Sequence, residues 1–306
     1  MRYYFAPMEG LTDRVYRSLH YKYFPGVDRY YTPFFSPSVH RQLTPREEQE
    51  LPLADTLGFV TVPQLLTKNA EDFLWMARVC KDRGYSQVNL NLGCPSGTVV
   101  AKGKGSGMLR EQDALDAFLE RICKDAPLPV SVKTRLGMES PEEFPALLEI
   151  FNRYPIGELT IHPRVRKQFY TGDVDSTMFD YAVKNSKNPL CYNGDILSLS
   201  QAEAIGKAYP QVEAVMIGRG LIACPWMLSG QPDAAVLEAF MDELLATYTS
   251  EFGGPRNAMF RMKENWSFLH CHFENSEKLW KRLRKTTDVA EFKSITSQMF
   301  RSCELK

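Results

Sequence analysis

Neither sign of charge is in excess in this chain: 37 Lys and Arg face 37 Asp and Glu. The total therefore neither favours nor opposes a polyanionic partner, and only the distribution of charge along the chain can do so. Long apolar runs are missing as well. None approaches the roughly 20 residues of a membrane-spanning helix, so no membrane partner is expected. Residues 1–7 have neither a basic start nor a long apolar core, and no signal peptide is expected. No Cys-x-x-Cys pair occurs among the seven scattered cysteines, Cys80, Cys94, Cys123, Cys191, Cys224, Cys271 and Cys303. That argues against both a disulfide framework and a zinc site, and for a reducing cytoplasm. Cys271 with His270 and His272 lacks a second ligand pair, so no metal is expected. No strand-like run leads into Gly-x-Gly-x-x-Gly with an acid some 20 residues on, which disfavours a dinucleotide-binding doubly wound sheet.

What the chain does have is alternation. Strand-like runs fall at 2–8, 29–35, 59–65, 87–92, 129–134, 158–162, 189–193 and 214–218, eight in all. Helical periodicity fills most of the intervals, at 70–82, 111–124, 141–152 and 198–209. Ser140-Pro141 followed by Glu142 and Glu143 supplies a cap, a first-turn proline and two acids to one of these. This is the pattern of an α/β (β/α)₈ TIM barrel. Residues 34–57, rich in Pro, His, Arg and Glu, read as a long loop with little regular structure. Beyond 231 the pattern is helical throughout, at 234–251, 255–273, 277–285 and 290–300, so a barrel over 1–230 is followed by a small all-helical domain over 231–306. That tail is basic: from 255 to 306 there are 11 Lys or Arg against 6 acids, a balance of +5. Its cluster 278–285 includes Trp280. A solvated helix face and a nucleic-acid surface both fit such a cluster.

The barrel is organised around residues 87–109. A strand carries Asn91 and then Cys94 into a glycine-rich loop holding Lys102 and Lys104. A lone cysteine is more often a small buried apolar residue than a catalyst. The other strand ends are polar, however, and in such barrels the active site is built there. They hold Ala6-Pro7-Met8, Gln64, Lys133 and Arg135, His162 with Arg164 and Arg166, Asn193-Gly194-Asp195, and Gly218-Arg219-Gly220. Lys133 lies in a strand that is apolar on both sides, where a cation is costly unless it meets a ligand. The last two strand ends suit a phosphate, glycine letting backbone N–H groups approach and arginine adding a charged fork. Together these residues indicate a phosphate-bearing ligand and a nearby thiol.

Ala-Pro-Met-Glu-Gly-Leu-Thr-Asp at 6–13, Asn-Leu-Gly-Cys-Pro-Ser at 91–96, the glycine and lysine loop to Leu109, Val-Lys-Thr-Arg-Leu-Gly at 132–137 and His-Pro-Arg-Val-Arg-Lys-Gln-Phe-Tyr-Thr-Gly at 162–172 form a set with Asn-Gly-Asp and Gly-Arg-Gly. As a set, across roughly residues 2 to 226, they resemble the tRNA-dihydrouridine synthases. The resemblance implies FMN as cofactor, NADPH as reductant, tRNA as substrate and a cytoplasmic monomer. It implies that Cys94 is the general acid and that Pro7, Met8, Gln64, Lys133, His162, Asn193, Asp195, Gly218 and Arg219 contact FMN. Asn91, Lys102, Lys104, Arg135, Arg164 and Arg166 are the implied substrate contacts. The tryptophan that commonly follows the strand-six motif is absent, Met178-Phe179 standing there instead. The alternatives are an FMN barrel acting on a free pyrimidine, like the dihydroorotate dehydrogenases, and a tRNA-binding protein without turnover.

Overall fold

The computed structural model describes residues 1–38 and 40–306. Nine short strands make one sheet: β1 (Arg2–Phe5), β2 (Arg29–Tyr31), β3 (Thr61–Val62), β4 (Gln64–Leu65), β5 (Val88–Leu92), β6 (Val130–Arg135), β7 (Leu159–His162), β8 (Leu190–Tyr192) and β9 (Ala214–Ile217). The order is β3-β2-β1-β9-β8-β7-β6-β5-β4, and every neighbouring pair is parallel. β3 and β4 are one expected strand interrupted at Pro63, which has no N–H to give a ladder, so the eight expected strands are present. The two ends of the order are thus consecutive in the chain. Phe35 N–H donates to the Gln64 carbonyl at 2.8 Å, and Leu66 N–H to that of Phe35, joining the sheet to itself as a barrel.

Parallel strands covered by helices are buried on both faces, and β5, β7, β8 and β9 are buried throughout. Tyr4, Ala6, Tyr31, Val62, Cys191, Ala214 and Met216 pack as one cluster. At the amino end of β7 the buried Glu158 accepts hydrogen bonds from Tyr4 Oη at 3.0 Å and Tyr31 Oη at 3.3 Å. Burial pushes its carboxyl pKa up in spite of them.

Residues 34–57 are less irregular than their composition suggests. They form a helix, Pro45–Glu50, and a 3₁₀ turn, Ala54–Thr56; Val39, within the same stretch, lies outside the described residues. The reason was legible: Thr44 and Glu47 make a reciprocal capping box with proline in the first turn. The helix buries none of its side chains, so no hydrophobic periodicity announced it.

The chain divides into two compact units. The first comprises 1–7, 28–195 and 200–217; the second comprises 8–27, 196–199 and 218–306. The second is built from helices, chiefly Arg14–Tyr23, Ala234–Glu251, Pro255–Leu269, Glu277–Lys285 and Val289–Ser302. Its anchor is ionic. Asp13 caps the first of these helices through Tyr16 N–H at 3.0 Å, and also accepts from Arg261 Nε at 2.8 Å and Tyr248 Oη at 3.1 Å. The Arg261 guanidinium in turn lies 4.6 Å from the Phe252 ring centre. Lys263 bonds the carbonyls of Arg284 and Thr286, satisfying the end of Glu277–Lys285. Two of the cations counted in the basic tail are therefore used internally, and Lys278, Lys281, Arg282, Arg284 and Lys285 remain exposed on one helix.

His20, also in this unit, is buried and its imidazole pKa is pushed down to about 3, burial outweighing a hydrogen bond to the Pro225 backbone. It is neutral in the fold and titrates near 6.5 when unfolded. Stability that is complete above about pH 6.5 is therefore lost as pH falls toward 3, by at most about 1.4 kcal/mol per pH unit. Denaturant titrations at pH 7.5 and pH 5 should show a loss about 2 kcal/mol larger for the native chain than for His20→Gln. Equal losses would remove His20 as the acid-sensitive group.

Candidate active site

Side chains of a barrel strand alternate between the interior and the surrounding helices. On β5 and β6 one set is polar: Asn89 and Asn91 stand in register with Ser131 and Lys133, and Gln64 of β4 with Asn89. Their amides form a chain. Asn91 Nδ2 donates to Gln64 Oε1 at 2.7 Å, Gln64 Nε2 to Asn89 Oδ1 at 2.8 Å, and Asn89 Nδ2 to Ser131 Oγ at 2.9 Å. Because each amide has distinct donor and acceptor ends, the chain sets every orientation from Ser131 to Asn91.

Asn91 Oδ1 is left to accept, and takes the backbone N–H groups of Gly93 at 3.0 Å and Cys94 at 2.9 Å. The turn carrying the thiol is thus pinned to the barrel wall. From the other side Ser106 Oγ donates to the Cys94 carbonyl at 2.8 Å. Gly105 has φ +58°, and a Cβ there would lie 3.0 Å from the Cys94 carbonyl oxygen and 3.1 Å from its Cβ. Only glycine fits that backbone and that approach. The glycine-rich segment is accordingly folded rather than open: it contains the helix Gly97–Val100 and the 3₁₀ helix Gly105–Arg110, whose residues 105–109 are buried. Cys94 itself is half-buried and not in a disulfide.

The side chain of Lys133 has neither a hydrogen bond nor an ion pair among the described residues. Burial and the neighbouring Arg135 push its ammonium pKa down to about 8, although part of the side chain stays accessible. Arg135 is almost fully buried. Its Nε donates to the Gly93 carbonyl at 2.8 Å and its Nη1 to that of Val165 at 3.1 Å, bridging the cysteine turn to the loop after β7. Arg166 reaches the same turn, Nε to the Pro95 carbonyl at 3.3 Å.

His162, at the end of β7, is buried with Arg164 Nη1 3.1 Å from its Nε2. A guanidinium only donates, so Nε2 accepts and the imidazole proton sits on Nδ1. Arg164, 1% exposed, also bonds Asp195 Oδ1 at 2.9 Å and the Gly172 carbonyl at 3.2 Å. It lies behind His162 rather than at a surface. Lys104 is tied to Ser36 Oγ at 2.8 Å, whereas Lys102 is exposed. Asn193 Nδ2 bonds the Met216 carbonyl at 2.7 Å.

Pro7 falls in the first compact unit, Met8, Gly218 and Arg219 in the second. Met8 N–H bonds Thr12 Oγ1 at 2.8 Å, and Gly218 precedes the short helix Arg219–Ala223. No side chain could replace the hydrogen of Gly220, since a Cβ there would stand 2.2 Å from the Ile196 carbonyl oxygen. In the same unit Trp280 stacks on His270, ring centres 4.3 Å apart. Among the described residues no group of three or more His, Cys, Asp and Glu is placed to hold a metal, and no helix is long and apolar enough to cross a membrane.

A family model described as dihydrouridine synthase matches residues 4–302. The chain belongs to the dihydrouridine synthase family. Among relatives, tRNA-dihydrouridine synthase B of Proteus vulgaris is 31% identical over 224 residues, covering 72% of this chain and 68% of that one. A probable tRNA-dihydrouridine synthase of Staphylococcus aureus strain MRSA252 is 27% identical, covering 96% of this chain and 91% of its own. Among solved structures, morphinone reductase superposes with a TM-score of 0.53 at 13% identity, over 77% of this chain and 88% of that one. At that identity the likeness shows the barrel alone. Where the dihydrouridine synthase motif lacks its usual tryptophan, other aromatic packing is present. Asp175 caps the helix Ser176–Asn185, and the buried Phe179 packs edge-on to Tyr192 at 4.8 Å and Tyr209 at 5.1 Å.

Sequence reading had not singled out Asn89, Ser131 or Ser106. The first two were within reach, since they stand two residues before Asn91 and Lys133 and so share their faces. Ser106 was not, because its partner is a carbonyl 12 residues away across the glycine turn.

Proposed function

We propose that this tRNA uridine reductase uses FMN and NADPH, with Cys94 as the proton donor. The observation that carries this reading is a pair of groups from neighbouring parts of the barrel: the Cys94 thiol on the hydrogen-bonded turn after β5, and the ammonium of Lys133 on the adjacent β6 without a counter-ion. A walled-in cation of this kind suits a ring that gains negative charge on reduction. FMN, when bound and reduced by NADPH, would supply the hydride that goes to carbon 6 of the uracil. The Cys94 S–H bond breaks, its proton forms the new C–H bond at carbon 5, and the thiolate regains a proton from solvent. Asn91 Nδ2 has a second N–H for the edge of the base, which has to leave its stack to reach the site. Within the first unit, Pro7, Gln64, His162 through Nδ1–H, Asn193 and Asp195 would hold the flavin. Lys102, Lys104 and Arg166 face the tRNA, while the buried Arg135 contributes by bridging the Cys94 turn to the loop after β7 and Arg164 by orienting His162. Residues 1–230 carry the chemistry and 231–306 the larger share of tRNA contact, in a cytoplasmic monomer.

The test is to incubate the purified protein with FMN, NADPH and tRNA lacking the modification, and to map dihydrouridine by mass spectrometry. Product at defined positions is expected. None from any tRNA, with reduction of a free pyrimidine instead, would overturn the reading.

Lys133 adds a pH signature. Its ammonium, whose pKa burial pushes down to about 8, favours an anionic ring only while charged. Affinity for reduced FMN, whose ring is anionic, is therefore expected to fall above pH 8, by at most about tenfold per pH unit, and to become flat in Lys133→Met. Anaerobic titration with reduced FMN at pH 7 to 10, followed by absorbance, measures both; an unchanged slope in the variant would place the titrating group elsewhere.

A further inference from the structure

The loop after β7 exposes two aromatic rings in succession, Phe169 and Tyr170, 43% and 54% accessible. Tyr170 is engaged with the site: it stacks on His162 at 6.1 Å, and the Arg135 guanidinium lies 5.3 Å from its ring centre. Phe169 is different. Its backbone has φ 51° and ψ −101°, and Thr171 N–H donates to the Gln168 carbonyl at 2.9 Å. These are close to the dihedrals of the first central residue of a type II′ turn, a position dominated by glycine. A phenylalanine there strains the backbone and, being exposed, recovers little by burial. Fold stability alone would favour glycine at this position.

The surroundings of the ring are cationic. The Arg166 guanidinium lies over it, 5.2 Å from the centroid, while Arg166 Nε holds the Pro95 carbonyl next to Cys94. Lys167 beside it is exposed. An aromatic face among cations, tethered to the turn that carries the thiol, is what a nucleobase and its phosphate recognise. Flipping one base out of its stack leaves its neighbours with an uncovered face.

We infer that Phe169, backed by Arg166, is a stacking platform for a nucleobase flanking the uridine that is reduced, and so contributes to the choice of site in the tRNA. This rests on the proposed tRNA reaction. The strain in the loop is retained for a contact with RNA that glycine could not make.

Phe169→Gly tests it. Thermal unfolding should show the variant equal to or more stable than the native chain, since the turn is relieved. Its binding of tRNA, measured by filter retention at fixed salt, should weaken roughly tenfold, the order expected for one stacked base. In turnover the loss should appear in KM with kcat within about twofold, and Phe169→Trp should restore both binding and KM. Binding and KM unchanged in Phe169→Gly would overturn the inference. So would a fall in kcat alone, which would mark Phe169 as a support for Tyr170. The binding assay needs no turnover, so the inference is decided separately from the reaction: a native chain that binds tRNA but makes no dihydrouridine contradicts the reaction, not the platform.

Discussion

Cys94→Ala is expected to lower dihydrouridine formation by roughly 10²–10⁴-fold, the usual contribution of a positioned general acid, while the protein still binds FMN. The separation of the two effects follows from what holds the turn. Asn91 Oδ1 accepts the backbone N–H groups of Gly93 and Cys94, and Ser106 Oγ donates to the Cys94 carbonyl. None of these contacts uses the thiol. Alanine therefore keeps the backbone of the turn and removes only the S–H. The measurement is single-turnover oxidation of the reduced enzyme by tRNA, beside a flavin titration of the same preparation. Turnover within a few-fold of the native chain at neutral pH would take Cys94 out of the acid role. Loss of flavin together with activity would show instead that the turn had collapsed.

Asp13→Ala is expected to destabilise the helical unit by about 3–5 kcal/mol, the cost of stranding one member of a buried ion pair. The carboxylate has three tasks: it holds the guanidinium of Arg261, accepts the hydroxyl of Tyr248 and caps the helix Arg14–Tyr23. Removing it leaves a mostly buried cation and a buried hydroxyl short of an acceptor, and an uncapped helix. Urea titration followed by circular dichroism reads the change in midpoint. Asp13→Ala combined with Arg261→Met should recover much of the loss, because an apolar pair tolerates burial where a lone charge does not. A single variant less than 1 kcal/mol below the native chain would mean that apolar packing, not this triad, anchors the helices. Asp13 stood in the Ala-Pro-Met-Glu-Gly-Leu-Thr-Asp motif, and nothing in its spacing suggested a partner almost 250 residues away.

The alternation of strand and helix, the polar strand ends and the thiol after β5 were all legible in the sequence because each follows from local periodicity. A strand shows its faces two residues apart and a helix every three to four, so eight units could be counted and their carboxyl ends compared. The helix Pro45–Glu50 escaped for the converse reason: it has a cap but no apolar face, and periodicity cannot report what is not buried.

Roles set by partners distant in the chain were decided only by the tertiary structure. Arg164, two residues beyond the end of β7, could be read as a substrate contact; folding closes it behind His162 with Asp195 and fixes the imidazole proton on Nδ1. Arg261 counted toward a basic surface until the fold placed Asp13 against it. Trp280, read among its cations as a stacking ring, already stacks on His270. The sequence by itself determined the barrel and the groups at its mouth, since hydrophobic pattern and residue type are local properties. Which of those groups face a ligand and which are spent on one another depends on contacts that exist only once the chain has closed.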